Sequence, residues 1–423
     1  MIDIDEAQRV VLSHVRPLDT EQVPLGEAGM RTLAEAVRCD IDMPPFDRAV
    51  MDGYAVRAID TIAAPLRLRV VGRSAAGGSG TCSVEAGEAV KINTGAPMPA
   101  GADAVVRIEA TELSVSNAEV VVRESVTPGR FVTPKAAYVT AGSVILPNGT
   151  VLGPTEIAAA ATAGAATVTV YRQPVVAILS TGDELIEVDR KPAGAQIRNS
   201  NQYVLQALAE SAHCKIRLLG VAGDDENQLR CKIDAGLSAD VLCITGGVSM
   251  GDRDLVPDVL AAAGATIHVR KISIKPGRPT LFATGRGGAL VFGLPGNPAS
   301  AFVVFELLVR SAIAALQGRT GEAPKPTRVR LHGTLAATSA RQTYHPARVS
   351  ISDDGELVAR TLSWQGSGDA IGMVGANGLM VREPNTRAVG DGETVRALLL
   401  SAPVSSGPND SPWGSQYCTA RTD

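Results

Sequence analysis

From Val175 to Leu316 short apolar runs alternate with helical patterns, and this alternation restricts the possible fold more than any other feature. VVAILST (175–181) and NQYVLQALAES (201–211) are followed by KIRLLGVAG, ENQLRCKIDAGL, DVLCITGG, DLVPDVLAAAG, IHVRKISI, TLFATG, ALVFGLP and ASAFVVFELLVRSAIAAL. Strands buried on both faces read as continuous apolar runs, and the helices between them supply the long crossovers that parallel pairing needs. The segment predicts a doubly wound, mostly parallel α/β sheet.

The 423 residues are too many for one ordinary domain. Residues 66–133 carry LRLRVVG, AVKINTG, AVVRIE and EVVVRES with Gly, Pro and Asn between them, which predicts a β-rich domain. Residues 3–17 and 25–38 have helical spacing of apolar residues, and 139–170 hold VILPNGTVLGP and an Ala-rich helical stretch. After Pro324 strand patterns return without long helices, as in a compact β domain. Residues 401–423, rich in Ser and Pro, are expected to be disordered.

A net charge of −4 argues against general nucleic-acid binding. The acidic, amphipathic MIDIDEAQRV does not read as a signal peptide. The longest uncharged Ala-rich run, 157–171, is too short and weakly apolar to span a bilayer. Cysteines at 39, 82, 214, 231, 243 and 418 show neither zinc-ligand spacing nor a disulfide framework. These features predict a cytoplasmic protein with reduced thiols and no membrane or nucleic-acid partner.

Ligands of open α/β sheets bind outside the carboxyl ends of the strands. Four polar, Gly- and Pro-rich segments are expected there. STGDEL presents Ser180, Thr181, Gly182, Asp183 and Glu184. TGGVSMGDRDLV presents Gly246, Gly247, Ser249, Gly251, Asp252 and Asp254. KPGRP presents Lys275 and Arg278, and GLPGNPAS presents Pro295, Gly296, Asn297, Pro298 and Ser300.

Gly246 and Gly251 have P-loop spacing, but Asp252 and Arg253 stand where that loop needs Lys and Ser or Thr; the dinucleotide pattern G-x-G-x-x-G is absent too. Such a turn can still cradle an oxyanion with its amides, or it is a tight turn with Asp252 as helix cap. Carboxylates beside an anion are reconciled by a shared Mg²⁺, with Glu184 joining Asp252 or Asp254. Lys275 and Arg278 either add charge for phosphate or are solvated surface cations. Pro298 and Ser300 open a helix whose free amides point outward, or simply cap it.

Taken in order, PPFDRAVMDGYAV, INTGAPMPAGADAVVRIE, STGDEL, IRNSNQYVL, ITGGVSMGDRDLV, IKPGRPTLF, GLPGNPASA and QGSGD resemble the motifs of one family over residues 3–400. That family is the molybdopterin molybdenumtransferases, the molybdenum insertases related to the C-terminal part of gephyrin. The resemblance implies a homodimer with its active site between subunits. It implies a discontinuous N-terminal domain (1–42 and 139–173), an inserted β-rich domain (43–138), an α/β molybdopterin-binding domain (174–318) and a C-terminal β domain (324–400).

The implied reaction is Mg²⁺-dependent insertion of molybdate into adenylylated molybdopterin with release of AMP. Asp52 matches a family acid, to act with Glu184 and Asp254; Thr94 and Ser367 match binding residues. Molybdopterin adenylyltransferase and Mo-enzyme assembly proteins are the implied partners.

The resemblance breaks in two places. Family members carry an Arg-rich run ending in Gly-Glu-Asp, where this chain has Thr133-Pro134-Lys135 and Ala136-Ala137-Tyr138. A neutral tyrosine cannot replace a carboxylate. Pro346 stands for a family arginine, leaving Arg341 and, as a binding candidate, Arg348. Two expectations follow: an insertase with rearranged chemistry, or a weakly active or non-catalytic paralogue that carries molybdopterin or its cofactor.

Overall fold

Val176–Leu179 and Val241–Ile244 are fully buried, as expected of central strands covered on both faces. The computed structural model describes residues 1–78, 82–114, 118–247, 255–319 and 325–405. Two units emerge: Met1–Glu21, Met30–Ala34 and Val170–Asp423 form one, and Gln22–Gly29 with Glu35–Thr169 the other.

The first unit is built on β1 (Val175–Thr181), α1 (Ser200–Ser211), β2 (Lys215–Ala222), α2 (Glu226–Gly236), β3 (Val241–Thr245), α3 (Val256–Ala262), β4 (Thr266–Val269), β5 (Leu281–Thr284), β6 (Leu290–Leu294) and α4 (Pro298–Leu316). The sheet order is β2-β1-β3-β6-β5-β4. β1 pairs in parallel with β2 and β3, and β3 with β6; only β5 runs against its neighbours.

Alternation along the strands divides the core. Val176, Ile178, Val241 and Cys243 pack with α1 and α4, while Ala177, Leu179, Leu242 and Ile244 pack with α2 and α3. The expected doubly wound α/β sheet is present. By length and composition α4 could cross a membrane, yet 78% of it is buried inside the protein, and its Glu306 pairs with Arg310.

The N-terminal helix Ile4–Ser13 is capped by Asp3, whose carboxylate accepts the Glu6 amide at 2.7 Å, and it buries Ile4, Ala7 and Val11 in the α1/α4 core. In the C-terminal part, strand Gln342–Ile351 pairs with both Leu357–Thr361 and Gly378–Arg382. Thr327–His332 and Thr394–Leu399 complete the ring, so the sheet closes on itself like a barrel. The second unit is centred on a six-stranded sheet that includes Gly53–Val56, Leu66–Ser74, Glu88–Ile92, Ala104–Arg107 and Glu119–Val122.

Three expectations differ from the structure. Residues 25–38 are not a helix: Leu25–Glu27 is one 3₁₀ turn, Met30 has φ +62°, and Val37–Arg38 pairs with Val144–Leu146. Gly26 and Gly29 weaken helix propagation there. IHVRKISI is not one strand: Thr266–Val269 stays in the α/β sheet, and Ile274–Lys275 pairs with Gln342–Thr343 of the barrel. The tail begins in ordered form, since Val404–Ser405 pairs with Ser350–Ile351; residues 406–423 lie outside the described residues.

Candidate active site

The strand register sets three loop origins side by side. Ser180 of β1 stands opposite Thr245 of β3, and Thr245 opposite Leu294 of β6. The hydroxyls there are tied down. Ser180 Oγ donates to Asn199 Oδ1 at 2.9 Å, and Thr181 Oγ1 to the Thr245 carbonyl at 3.2 Å. Asn199 is the N-cap of α1, also accepting the Gln202 amide.

Gly246 and Gly247 have φ of +83° and +60°. A Cβ on Gly246 would lie 2.5 Å from the Thr181 carbonyl oxygen and one on Gly296 3.8 Å from the Gly246 Cα, so the three loops touch backbone to backbone. The Gly246 amide donates to the Leu294 carbonyl at 3.3 Å, and Asn201 Nδ2 to the Gly296 carbonyl at 2.7 Å. Asn201 Oδ1 is buried without a partner.

The two acids of STGDEL go different ways. Asp183 accepts the Asp224 amide at 3.0 Å, beyond the end of β2. The Glu184 carboxylate lies over Gly182, 2.4 Å from where a Cβ there would stand. Ser249, Gly251, Asp252 and Asp254 lie outside the described residues. Among the described residues no three His, Cys, Asp or Glu gather as a metal site, so the Mg²⁺ expectation rests on Glu184 with those two aspartates.

Beside these loops a cleft of about 480 Å³ opens between KPGRP, the start of α4 and the barrel. Lys275, Arg278, Arg341 and Arg382 line it, with no Asp or Glu among the lining residues. Pro295, Asn297, Ser300 and Ser367 are also on its wall. Asn297 Nδ2 donates to Ser367 Oγ at 2.9 Å, and the Ala299 amide donates to the Ser367 carbonyl at 3.1 Å. One amide expected to be free at this helix start is therefore taken by the chain itself. Four cations without a carboxylate give the cleft a positive lining, the chemistry that suits an anion.

In the other unit Asp52 and Thr94 meet. The Asp52 carboxylate accepts the Thr94 amide at 2.7 Å, Thr94 Oγ1 at 3.2 Å and Asn93 Nδ2 at 3.4 Å. The Thr94 amide bond, more than any other contact, holds this acid below the usual carboxylate value. Asp52 is thus ionised at neutral pH and positioned as an acceptor.

Residues 2–164 match the family model of the MoeA N-terminal region (domain I and II), 177–315 that of a probable molybdopterin binding domain, and 328–400 that of the MoeA C-terminal region (domain IV). A molybdopterin molybdenumtransferase of Nostoc sp. is 37% identical over 394 residues, 91% of this chain and 89% of that relative. The protein of the same name from Haemophilus influenzae is 36% identical, over 93% of this chain and 98% of its own. The chain belongs to the molybdopterin molybdenumtransferase family. A solved structure of the molybdopterin biosynthesis MoeA protein from Pyrococcus horikoshii superposes with a TM-score of 0.82 at 31% identity, covering 95% of this chain and all of that one.

Within the molybdopterin molybdenumtransferase family, the stretch where this chain departs from the expected acid has its own bonding. Tyr138 is 64% exposed, and its hydroxyl accepts from Arg48 Nη2 at 3.0 Å. Lys135 Nζ sits 3.2 Å from Asp42. Arg348 does not line the cleft; it faces Arg360 across the barrel sheet, with Nη1 near Gly375.

Sequence reading missed Arg382, Trp364 and His345, which line the cleft. His345 meets Trp364 edge-on with ring centroids 5.4 Å apart. Strand alternation could have placed His345 with Thr343, but no spacing signals Trp364.

Proposed function

We propose that this chain is a molybdenum-cofactor biosynthesis enzyme that inserts molybdate into adenylylated molybdopterin and releases AMP. The observation that carries this reading is the cation-lined, carboxylate-free cleft adjoining the glycine loops of an α/β domain. The molybdopterin molybdenumtransferase names of its relatives support the substrate assignment. In this reading the Gly246-Gly247 turn, Ser180, Thr181 and the Gly296-Asn297 loop hold the pterin phosphate side. Lys275, Arg278, Ser300 and Ser367 receive an oxyanion; Thr94 completes the proposed binding set, which Arg348, lying off the cleft wall, does not join.

Asp52, Glu184 and Asp254 are the proposed acids. Asp52 is already ionised and oriented by Thr94, so it can accept a hydrogen bond from water or substrate. Mg²⁺ is the proposed ion, supplying positive charge to the phosphoanhydride, with Glu184, Asp252 and Asp254 as its carboxylates. A homodimer and transient contacts with molybdopterin adenylyltransferase and Mo-enzyme assembly proteins belong to the same reading, as does the cytoplasm. The described thiols Cys39, Cys82, Cys214, Cys231 and Cys243 are unpaired, which suits a reducing compartment.

The test is incubation of the purified chain with adenylylated molybdopterin, molybdate and Mg²⁺. AMP release with formation of active cofactor is expected, and chelation of Mg²⁺ should stop it. Tight binding without AMP release would replace the insertase by a carrier. Tyr138→Asp should raise the rate of AMP release; an unchanged rate means the missing carboxylate is not limiting.

A further inference from the structure

We infer that Arg382 and Trp364 form an oxyanion-recognition subsite on the barrel wall of the cleft, taking a tetrahedral oxyanion such as a nucleotide phosphate or free molybdate. This inference deepens the proposed function and rests on that reading for the identity of the oxyanion. It begins with register. Arg382 stands opposite Thr343 and Met380 opposite His345, so Thr343, His345 and Arg382 share one face of an antiparallel pair. All three line the cleft.

Arg382 is only 6% exposed. A charge so deeply placed is costly unless it is paired. Among the described residues Arg382 makes no ion pair. Its Nη2 donates to Thr386 Oγ1 at 3.0 Å and to the Arg387 carbonyl, and its Nη1 has no partner. The acids that could neutralise it are engaged: Glu393 binds Arg387, with one contact at 3.1 Å, and Glu383 binds Arg396. Burial, and then the neighbouring Arg387, disfavour its charge, and Glu393 offsets them only in part.

A second orphan lies in the same wall. Trp364 Nε1 is buried and has no hydrogen-bond partner. Buried indole N–H groups normally find one. Two unmatched donors, one of them charged, in a cleft without a carboxylate call for a ligand that brings several acceptor oxygens and negative charge. Phosphate and molybdate both meet that description, and the guanidinium fork suits them. The ligand adds counter-charge beyond what Glu393, already bound to Arg387, supplies.

The test uses the full chain carrying Trp413→Phe, so that Trp364 is the remaining tryptophan. Molybdate, inorganic phosphate and AMP are titrated separately while its emission is followed, with calorimetry in parallel. Saturable binding is expected for at least one of them. Arg382→Met should raise that Kd at least about tenfold, and Trp364→Phe, read by calorimetry, a few-fold. A response to AMP alone assigns the subsite to the nucleotide phosphate, and a response to molybdate alone to the inorganic anion; both support it. Absence of binding by the parent chain overturns it, as does unchanged affinity in both variants. A Tm loss in Arg382→Met with unaltered affinity reduces the arginine to a clamp on the 383–388 turn. Arg382-dependent binding in a chain that releases no AMP from adenylylated molybdopterin would remove the insertase reading and leave the subsite standing.

Discussion

Replacing Gly246 by alanine tests whether close backbone approach, not chain flexibility, builds the glycine loop. Gly246 has φ +83°, and Gly287, in the turn between β5 and β6, has nearly the same value, +80°. An alanine at either position incurs the left-handed backbone penalty of about 1–2 kcal/mol. The surroundings differ. A Cβ at Gly287 meets nothing within 4 Å, whereas one at Gly246 meets the Thr181 carbonyl oxygen at 2.5 Å and Thr181 Oγ1 at 2.9 Å. Either loop must then move by about 0.5 Å for that oxygen contact to reach even 3.0 Å.

Gly287→Ala should therefore lower Tm by roughly 2–8 °C and leave kcat/KM for AMP release unchanged. Gly246→Ala should lose at least as much stability. It should also lose roughly ten- to a hundredfold in kcat/KM, because displacements of this order at a binding loop carry such penalties. Thermal unfolding and AMP release measured on the pair separate strain from displacement. Equal activity in the two variants would refute the claim that the loop positions substrate. So would a Gly246→Ala affinity loss reproduced by Gly287→Ala.

Two further outcomes follow from the bonds at the edges of this domain. Arg172 binds Asp240 through both terminal guanidinium nitrogens at 2.6 and 2.7 Å, and Asp240 also accepts the Val175 amide. Burial alone would raise the Asp240 pKa, but the Arg172 and Val175 bonds outweigh it and hold the acid below its ordinary value. A depressed carboxylate stabilises the fold above its unfolded pKa of about 3.9, and that contribution disappears as pH falls through the folded value. Arg172→Ala should cost about 1–3 kcal/mol at pH 7, discounted for the arginine's partial exposure, and the difference from the parent chain should shrink on acidification below about pH 5 in urea unfolding. Ser367→Ala leaves the main-chain bond from Ala299 intact. Its Tm should barely change, so a tenfold or greater fall in kcat/KM would mark Ser367 Oγ as a substrate contact, and wild-type kinetics would confine it to orienting Asn297.

The parts of this protein that were legible in its sequence are those whose cause is local. Burial on both faces makes β1 and β3 continuous apolar runs, and Gly246 and Gly247 mark a turn that needs the left-handed backbone glycine adopts most readily. Hence the α/β sheet and its loop origins at Ser180, Gly246 and Gly296 could be read directly. The stretch 25–38 misled because its apolar spacing fits a helix, while pairing of Val37 with Leu146 depends on a strand more than a hundred residues away. Arg382 and Trp364 were invisible for the same reason. A lone arginine after GLMV reads as the exposed end of a strand, and only closure of the barrel turns it toward Thr343 and away from water. Backbone geometry at the glycine loops brings the ends of β1, β3 and β6 together. The charge that the cleft leaves unmatched is set by strand register, which residue spacing does not carry.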